Sequence, residues 1–265
     1  MPPGSPQTNR SRSPNTGRLR LDSVAQPASS PEASGAGRGA GFLIEPLAVG
    51  LGRHADASGS QYFDGMSAVL TSREIDLGAG AFVELWGDWL TAAEADRYFA
   101  ALRETIPWEQ GRLTFFGKEV LEPRLSAWFG DRDYIYSGRS LRANPFPAIV
   151  RELAERAEAS THARFNSVLL NLYRDGQDSM GLHSDDEREL GSNPLIASVS
   201  LGAARRFVLR AKKKNALAPL DLELPHGSLL AMGGSCQHQF RHGLPKSARV
   251  TGARINLTFR WIVAR

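Results

Sequence analysis

Few residue types do chemistry, and in this chain several of them fall in an ordered series. His183 and Asp185 stand two apart, His242 follows far downstream, and Arg254 and Arg260 close the set. Two histidines and one carboxylate, leaving coordination positions open, are the ligand set of non-haem Fe(II) oxygenases. The H-x-D pair alone is weak, because His183 could be a surface histidine in an acidic loop. The distal position also has rivals. His226, next to Gly227, reads as a turn between strands, whereas His238 lies four residues before His242 and competes with it directly. A zinc hydrolase could use the same His, Asp and His, but it has no need of two arginines on one inner strand.

The elements that must carry these residues can be read from side-chain alternation. In residues 254–261, Arg254, Asn256, Thr258 and Arg260 share one face, and Ile255, Leu257, Phe259 and Trp261 share the other. The apolar face packs on a core. Two arginines on an inward face need partners, because unpaired buried charge is costly. An anionic ligand between them would supply one; an edge strand with one wet face is the alternative. In residues 168–173, Asn171 and Tyr173 likewise share a face. His183 and Asp185 can reach one metal if a strand ends there, and His242 must come from a different strand.

Around these lies a mainly β pattern. Residues 81–86 read as a strand. Thr91 and Glu94 form a capping box ahead of a helix that buries Tyr98, Phe99, Leu102 and Ile106 and stops at Pro107. Residues 113–120 and 134–136 read as strands. Pro147 opens a second helix with Ile149, Val150, Leu153 and Ala157 on one face. After Phe165 come short strands at 167–173, 196–201, 207–210, 221–224, 228–232 and 254–263. Many short strands after two helices predict a β-sandwich or jelly roll with helices outside.

Composition narrows the class. The 265 residues are 42% hydrophobic, with no apolar run of membrane-spanning length, so a soluble protein without membrane association is expected. The only cysteine, Cys236, excludes an intramolecular disulfide and fits a reducing compartment. Lys and Arg exceed Asp and Glu by only 32 to 28, which permits a nucleic-acid partner without arguing for one. Residues 1–70 are rich in Pro, Ser, Gly and scattered Arg and read as a disordered tail. The segment lacks the amphipathic face of a transit peptide. The folded domain is expected over 75–265.

Asn171-Leu172-Tyr173, His183-Ser184-Asp185-Asp186-Glu187, residues 194–202, His226 to Leu230, His242-Gly243-Leu244-Pro245 and residues 254–260 together resemble the AlkB family. These are Fe(II)- and 2-oxoglutarate-dependent dioxygenases that remove alkyl lesions from nucleic acids. The likeness covers roughly 75–265 and, through Phe116-Gly117-Lys118 and Pro123-Arg124, is closest to the branch with the animal DNA-repair homologues. It implies a double-stranded β-helix, or jelly roll, with flanking α-helices. It implies Fe(II), 2-oxoglutarate and O2 as metal and cosubstrates, with His183, Asp185 and His242 as iron ligands. By the family pattern Arg254, helped by Tyr173, takes the far carboxylate of 2-oxoglutarate. Asn171 and Arg260 take the carboxylate near the metal, Arg260 also steadies Asp185, and Asn256 lies on the same face.

On the substrate side the resemblance makes Tyr136, near Tyr134, the aromatic that stacks on a flipped base. Phe116 becomes a duplex wedge, and Arg124 and the Lys212–Lys214 run become phosphate contacts. Asp186 and Glu187 would favour a cationic base such as 1-methyladenine or 3-methylcytosine. The implied reaction is oxidative demethylation with release of formaldehyde, on DNA and, as a second candidate, RNA, by a monomer in the cytoplasm (or nucleus, in a eukaryote). A same-fold oxygenase acting on protein or small molecules is the alternative, and a non-catalytic jelly-roll module is the third reading. The full ligand and arginine set argues against that third reading.

Overall fold

The computed structural model describes residues 71–115, 118–131, 134–136, 139–214 and 216–263, with the backbone alone for 113–115, 118, 134–136 and 139–141. The expected tail and Phe116 lie outside the described residues, as do the side chains of Tyr134 and Tyr136. In chain order the elements are β1 (Arg73–Gly78), β2 (Ala81–Trp86), α1 (Ala92–Thr105), β3 (Arg112–Phe115), β4 (Lys118–Leu121), β5 (Leu125–Gly130), β6 (Tyr134–Tyr136) and β7 (Arg139–Leu141). Then follow α2 (Ala148–Thr161), β8 (Ser167–Tyr173), β9 (Met180–His183), β10 (Ile196–Gly202), β11 (Arg205–Ala211), β12 (Leu220–Leu224), β13 (Ser228–Gly234), α3 (Cys236–Gln239), β14 (Phe240–Leu244) and β15 (Arg254–Arg260).

Two antiparallel sheets carry the fold. The larger has the order β1-β2-β13-β10-β15-β8-β5 and the smaller β12-β11-β14-β9. Alternation decides what each face of the larger sheet does. Val168, Leu170, Val199, Leu229, Ile255, Leu257 and Phe259 point outward into one core, with Tyr98 and Leu102 of α1 and Val150 and Leu153 of α2. Their neighbours Ile196, Leu230 and Met232 point inward and meet Phe207, Leu209 and Phe240 of the smaller sheet in a second core. This is the mainly β, jelly-roll arrangement that the sequence predicts, with helices packed outside.

The capping box forms as expected: the Glu94 N–H donates to Thr91 Oγ at 3.3 Å and the Thr91 N–H to Glu94 Oε2 at 2.9 Å. Arg156 of α2 also grips Glu94, at 2.8 Å. The run 113–120 is divided into β3 and β4, an antiparallel pair with Phe115 opposite Lys118, as the likeness of residues 115–118 to a family hairpin implies. The C-terminal strand departs from expectation. It stops at Arg260, because the Asn166 side chain takes the Ile262 N–H and donates to the Ile262 carbonyl, at 2.7 and 2.9 Å. Ile262 turns into the inner core, and Trp261, expected on the apolar face, is 48% exposed.

Candidate active site

His183 and His242 are cross-strand partners on β9 and β14, with ring centroids 4.3 Å apart. Asp185 follows the end of β9 and is fully buried. Its carboxylate oxygens lie 3.9 Å from His183 Nε2 and 4.0 Å from His242 Nε2. A metal holding N and O donors at about 2.0–2.2 Å can span separations up to about 4.4 Å. Among the described residues these three form the group of ligand atoms close enough to hold a metal ion.

The surroundings prepare each ligand. His183 Nδ1 faces the Gly181 carbonyl at 3.0 Å, which leaves Nε2 for a metal. Phe207 stacks on His242 at 5.5 Å. Burial, reinforced by the charge of His183, pushes the His242 pKa down to about 3, so at neutral pH it is the neutral ring a metal requires. For Asp185, burial pushes the pKa up, but Arg260 and the two histidines outweigh it and the net shift is down. Arg260 Nη2 donates to both Asp185 oxygens, at 3.0 and 2.9 Å. The Asp185 N–H donates to Gln237 Oε1 at 3.0 Å.

The rival histidines have other tasks. His226 Nδ1 accepts from the Gly202 N–H at 2.8 Å, and its Nε2 meets Asp96 at 3.1 Å, fixing a turn. His238 is exposed and contacts the Ser192 carbonyl.

Beside the triad, on the inner face of the larger sheet, lies a cavity lined by Asn171, Tyr173, Arg254, Asn256 and Arg260 as well as both histidines. Register aligns Arg254 with Tyr173 and Asn256 with Asn171 across β15 and β8. Arg254 is 2% exposed and donates to Ser200 Oγ at 2.8 Å, and its guanidinium lies 5.4 Å from the centre of the Tyr173 ring. Burial lowers its pKa from 12.5 to about 10, so it stays charged at neutral pH. Its Nε is buried without a hydrogen-bond partner, and no carboxylate pairs with it among the described residues. Asn256 is held by its neighbours, donating to Ser198 and the Val199 carbonyl and accepting from Thr258.

A buried, unneutralised guanidinium in a cavity next to two histidines and a carboxylate fits an anionic chelator of a bound metal. Among the described residues, the donor set suits Fe(II), and Arg254 suits a distal carboxylate. The edge-strand reading of β15 fails, since β10 and β8 flank it and its inner face is buried.

A second cavity opens past Asn171 and Leu169, lined also by Glu122, Arg124 and Trp128. Arg124, read from sequence as a phosphate contact, is 5% exposed. It turns inward, with Nε donating to Asn171 at 2.9 Å and Nη2 3.1 Å from Glu122. Asp186 is exposed and paired with Lys212 at 2.7 Å, and Glu187 is half-buried. Sequence reasoning missed Ser198, Ser200, Gln237 and Arg205. Arg205 is 2% exposed and donates to the carbonyls of Asp175, Asp178 and Pro245. Only Ser198 and Ser200 carried a signal, as inward polar positions on an otherwise apolar strand.

Comparison with known proteins agrees with this geometry. The family model described as the 2OG-Fe(II) oxygenase superfamily matches residues 82–260, and the chain belongs to that superfamily. Iron, 2-oxoglutarate and O2 are that family's requirements. Similar proteins include the human "Alpha-ketoglutarate-dependent dioxygenase alkB homolog 3", 38% identical over 67% of this chain and 65% of that protein. The "DNA oxidative demethylase ALKBH2" of Bos taurus is 40% identical over 64% of this chain and 66% of that protein. For its Mus musculus counterpart the figures are 40%, 64% and 76%. This chain therefore spans less than two thirds of the human alkB homolog 3, at 65%.

Proposed function

We propose that this chain is an Fe(II)- and 2-oxoglutarate-dependent dioxygenase that demethylates N-alkylated bases in nucleic acid, DNA foremost. The observation that carries the reading is that His183 and His242, grouped with Asp185 closely enough to hold a metal ion, line one cavity with the unneutralised Arg254. The names of the ALKBH2 and alkB homolog 3 relatives support the substrate class.

In this reading His183, Asp185 and His242 hold the iron. Arg254, with Tyr173 beside it, receives the far carboxylate of 2-oxoglutarate through a planar two-donor fork that Lys could not reproduce. Arg260 keeps Asp185 ionised and aimed. Bound iron, 2-oxoglutarate and O2 together supply the oxidation of the N-methyl carbon, which then leaves as formaldehyde. The second cavity shares Leu169 and Asn171 with the first, runs along β5 and offers room for a base. Phe116 and Tyr136, whose side chains lie outside the described residues, are assigned as wedge and stacking platform, and Asp186 and Glu187 as acidic groups that favour a cationic base. We assign the folded domain to 75–265, and a monomer in the cytoplasm, or the nucleus of a eukaryote.

The test is anaerobic reconstitution with Fe(II) and 2-oxoglutarate, admission of O2, and mass spectrometry of oligonucleotides carrying 1-methyladenine or 3-methylcytosine. Loss of the methyl group with release of formaldehyde is the expected result, with matched RNA as a parallel arm. Turnover of 2-oxoglutarate with every oligonucleotide untouched would move the substrate to protein or small molecules.

A further inference from the structure

The geometry points to Gln237 as a positioning residue for the metal carboxylate, holding the backbone of Asp185 as Arg260 holds its side chain. This rests on the iron reading above.

Asp185 lies in the segment beyond β9, outside both sheets. A short polar segment of this kind has no ladder to fix its backbone, yet a metal ligand must be held to a fraction of an ångström. Arg260 alone sets the carboxylate end. The other end is set by Gln237 Oε1, which accepts the Asp185 N–H at 3.0 Å. Both residues are 0% exposed. The amide orientation follows from the bond itself, since a backbone N–H must meet the oxygen and not the nitrogen. The Gln237 nitrogen has its own neighbour, the Met232 sulfur at 3.7 Å.

The origin of Gln237 gives the contact its meaning. It lies on α3, the short turn between β13 and β14, five residues ahead of His242. That turn is anchored in turn: the Lys212 N–H donates to the Gln239 carbonyl at 2.7 Å, and His238 contacts the Ser192 carbonyl. One element thus leads into the strand of the distal histidine and holds the aspartate from the other arm of the triad. A glutamine kept only to fill space would be replaceable by a side chain of the same length without an oxygen.

The experiment compares wild type, Gln237→Met and Gln237→Glu. Mn(II) is the probe, its binding read from loss of the free-ion EPR signal, with thermal unfolding in the absence of metal alongside. Gln237→Met should bind Mn(II) roughly ten- to a hundredfold more weakly, the usual consequence of removing a group that orients a ligand. Gln237→Glu keeps an acceptor oxygen and should bind close to the wild type.

Equal Mn(II) affinity in wild type and Gln237→Met would overturn the inference and leave the iron reading standing. So would a loss in Gln237→Glu as large as that in Gln237→Met. A wild type that binds no Mn(II) would overturn both. If Gln237→Met does not fold, exchange of the Asp185 amide decides. Slow exchange in wild type and Gln237→Glu supports the role, and fast exchange in the wild type refutes it.

Discussion

Arg254 should trade stability for ligand binding, and the size of the trade follows from its surroundings. Its guanidinium is 2% exposed, donates to the Ser200 hydroxyl, faces the Tyr173 ring, and meets no carboxylate among the described residues. Lowering its pKa from 12.5 to about 10 corresponds to roughly 3 kcal/mol of unfavourable burial, at about 1.4 kcal/mol per unit. Replacing a buried charge by an apolar side chain of similar volume is often neutral or stabilising. Arg254→Met should therefore melt at least as high as the wild type without ligand, by at most about 6–12 °C were the whole of that burial cost recovered, at about 2–4 °C per kcal/mol for a domain of this size. The same variant should bind 2-oxoglutarate hardly at all and lose nearly all turnover at ordinary cosubstrate concentrations. Arg254→Lys keeps the charge and loses the fork, so its 2-oxoglutarate affinity should fall by about 1.5–3 kcal/mol, some ten- to a hundredfold. Thermal unfolding with and without 2-oxoglutarate, followed by a steady-state titration, measures both effects. The reasoning is refuted if Arg254→Met melts several degrees below the wild type and turns over with unchanged cosubstrate dependence.

Three further outcomes are expected. His183→Ala, Asp185→Ala and His242→Ala should each end iron-dependent turnover, while His238→Ala should not. Of the three, Asp185→Ala should also cost about 3–5 kcal/mol in urea unfolding, because Arg260 loses the carboxylate it is buried against; equal stability of Asp185→Ala and His183→Ala would contradict this. Glu94 has its pKa lowered from 4.5 to about 2, chiefly by its hydrogen bond to Arg156, so its contribution is present above pH 4.5 and lost as pH falls toward 2. Its side chain is 35% exposed, so after screening Glu94→Gln should cost only about 1 kcal/mol at pH 7 and nothing near pH 2. Phe116→Ala should reduce repair of a duplex far more than repair of the same lesion in a single strand, since unstacking is required only in the duplex; equal losses would make Phe116 a packing residue.

What the sequence disclosed follows the physics of alternation. Arg254, Asn256 and Arg260 could be placed on one face of a strand because a period of two leaves no other choice, and Asn171 with Tyr173 followed in the same way. The helices were readable because a capping box and a 3.6-residue apolar spacing are local signals. Elements with only tertiary reasons to exist stayed hidden. β9 carries Gly181 and His183 and owes its extension to pairing with β14. α3 is four residues long and rests on contacts with distant loops. Trp261 was misplaced because alternation cannot register that Asn166, far away in sequence, ends the strand at Arg260. Arg124 read as a surface cation because nothing local announces that Glu122 and Asn171 will receive it.

The position of β15 has a consequence for how the molecule is made. It follows β8 and β10 in the chain and is the last strand among the described residues, yet it sits between them in the interior of the larger sheet. While the polypeptide leaves the ribosome, β8 and β10 must wait with facing edges unpaired, a template for pairing with other chains. A nascent chain halted before Arg254 holds His183, Asp185 and His242 but lacks the strand that seals the sheet and supplies Arg260. Such a chain should be a client for chaperones rather than a weaker enzyme. Competence for iron would then arrive in a single step, when β15 slides into its slot.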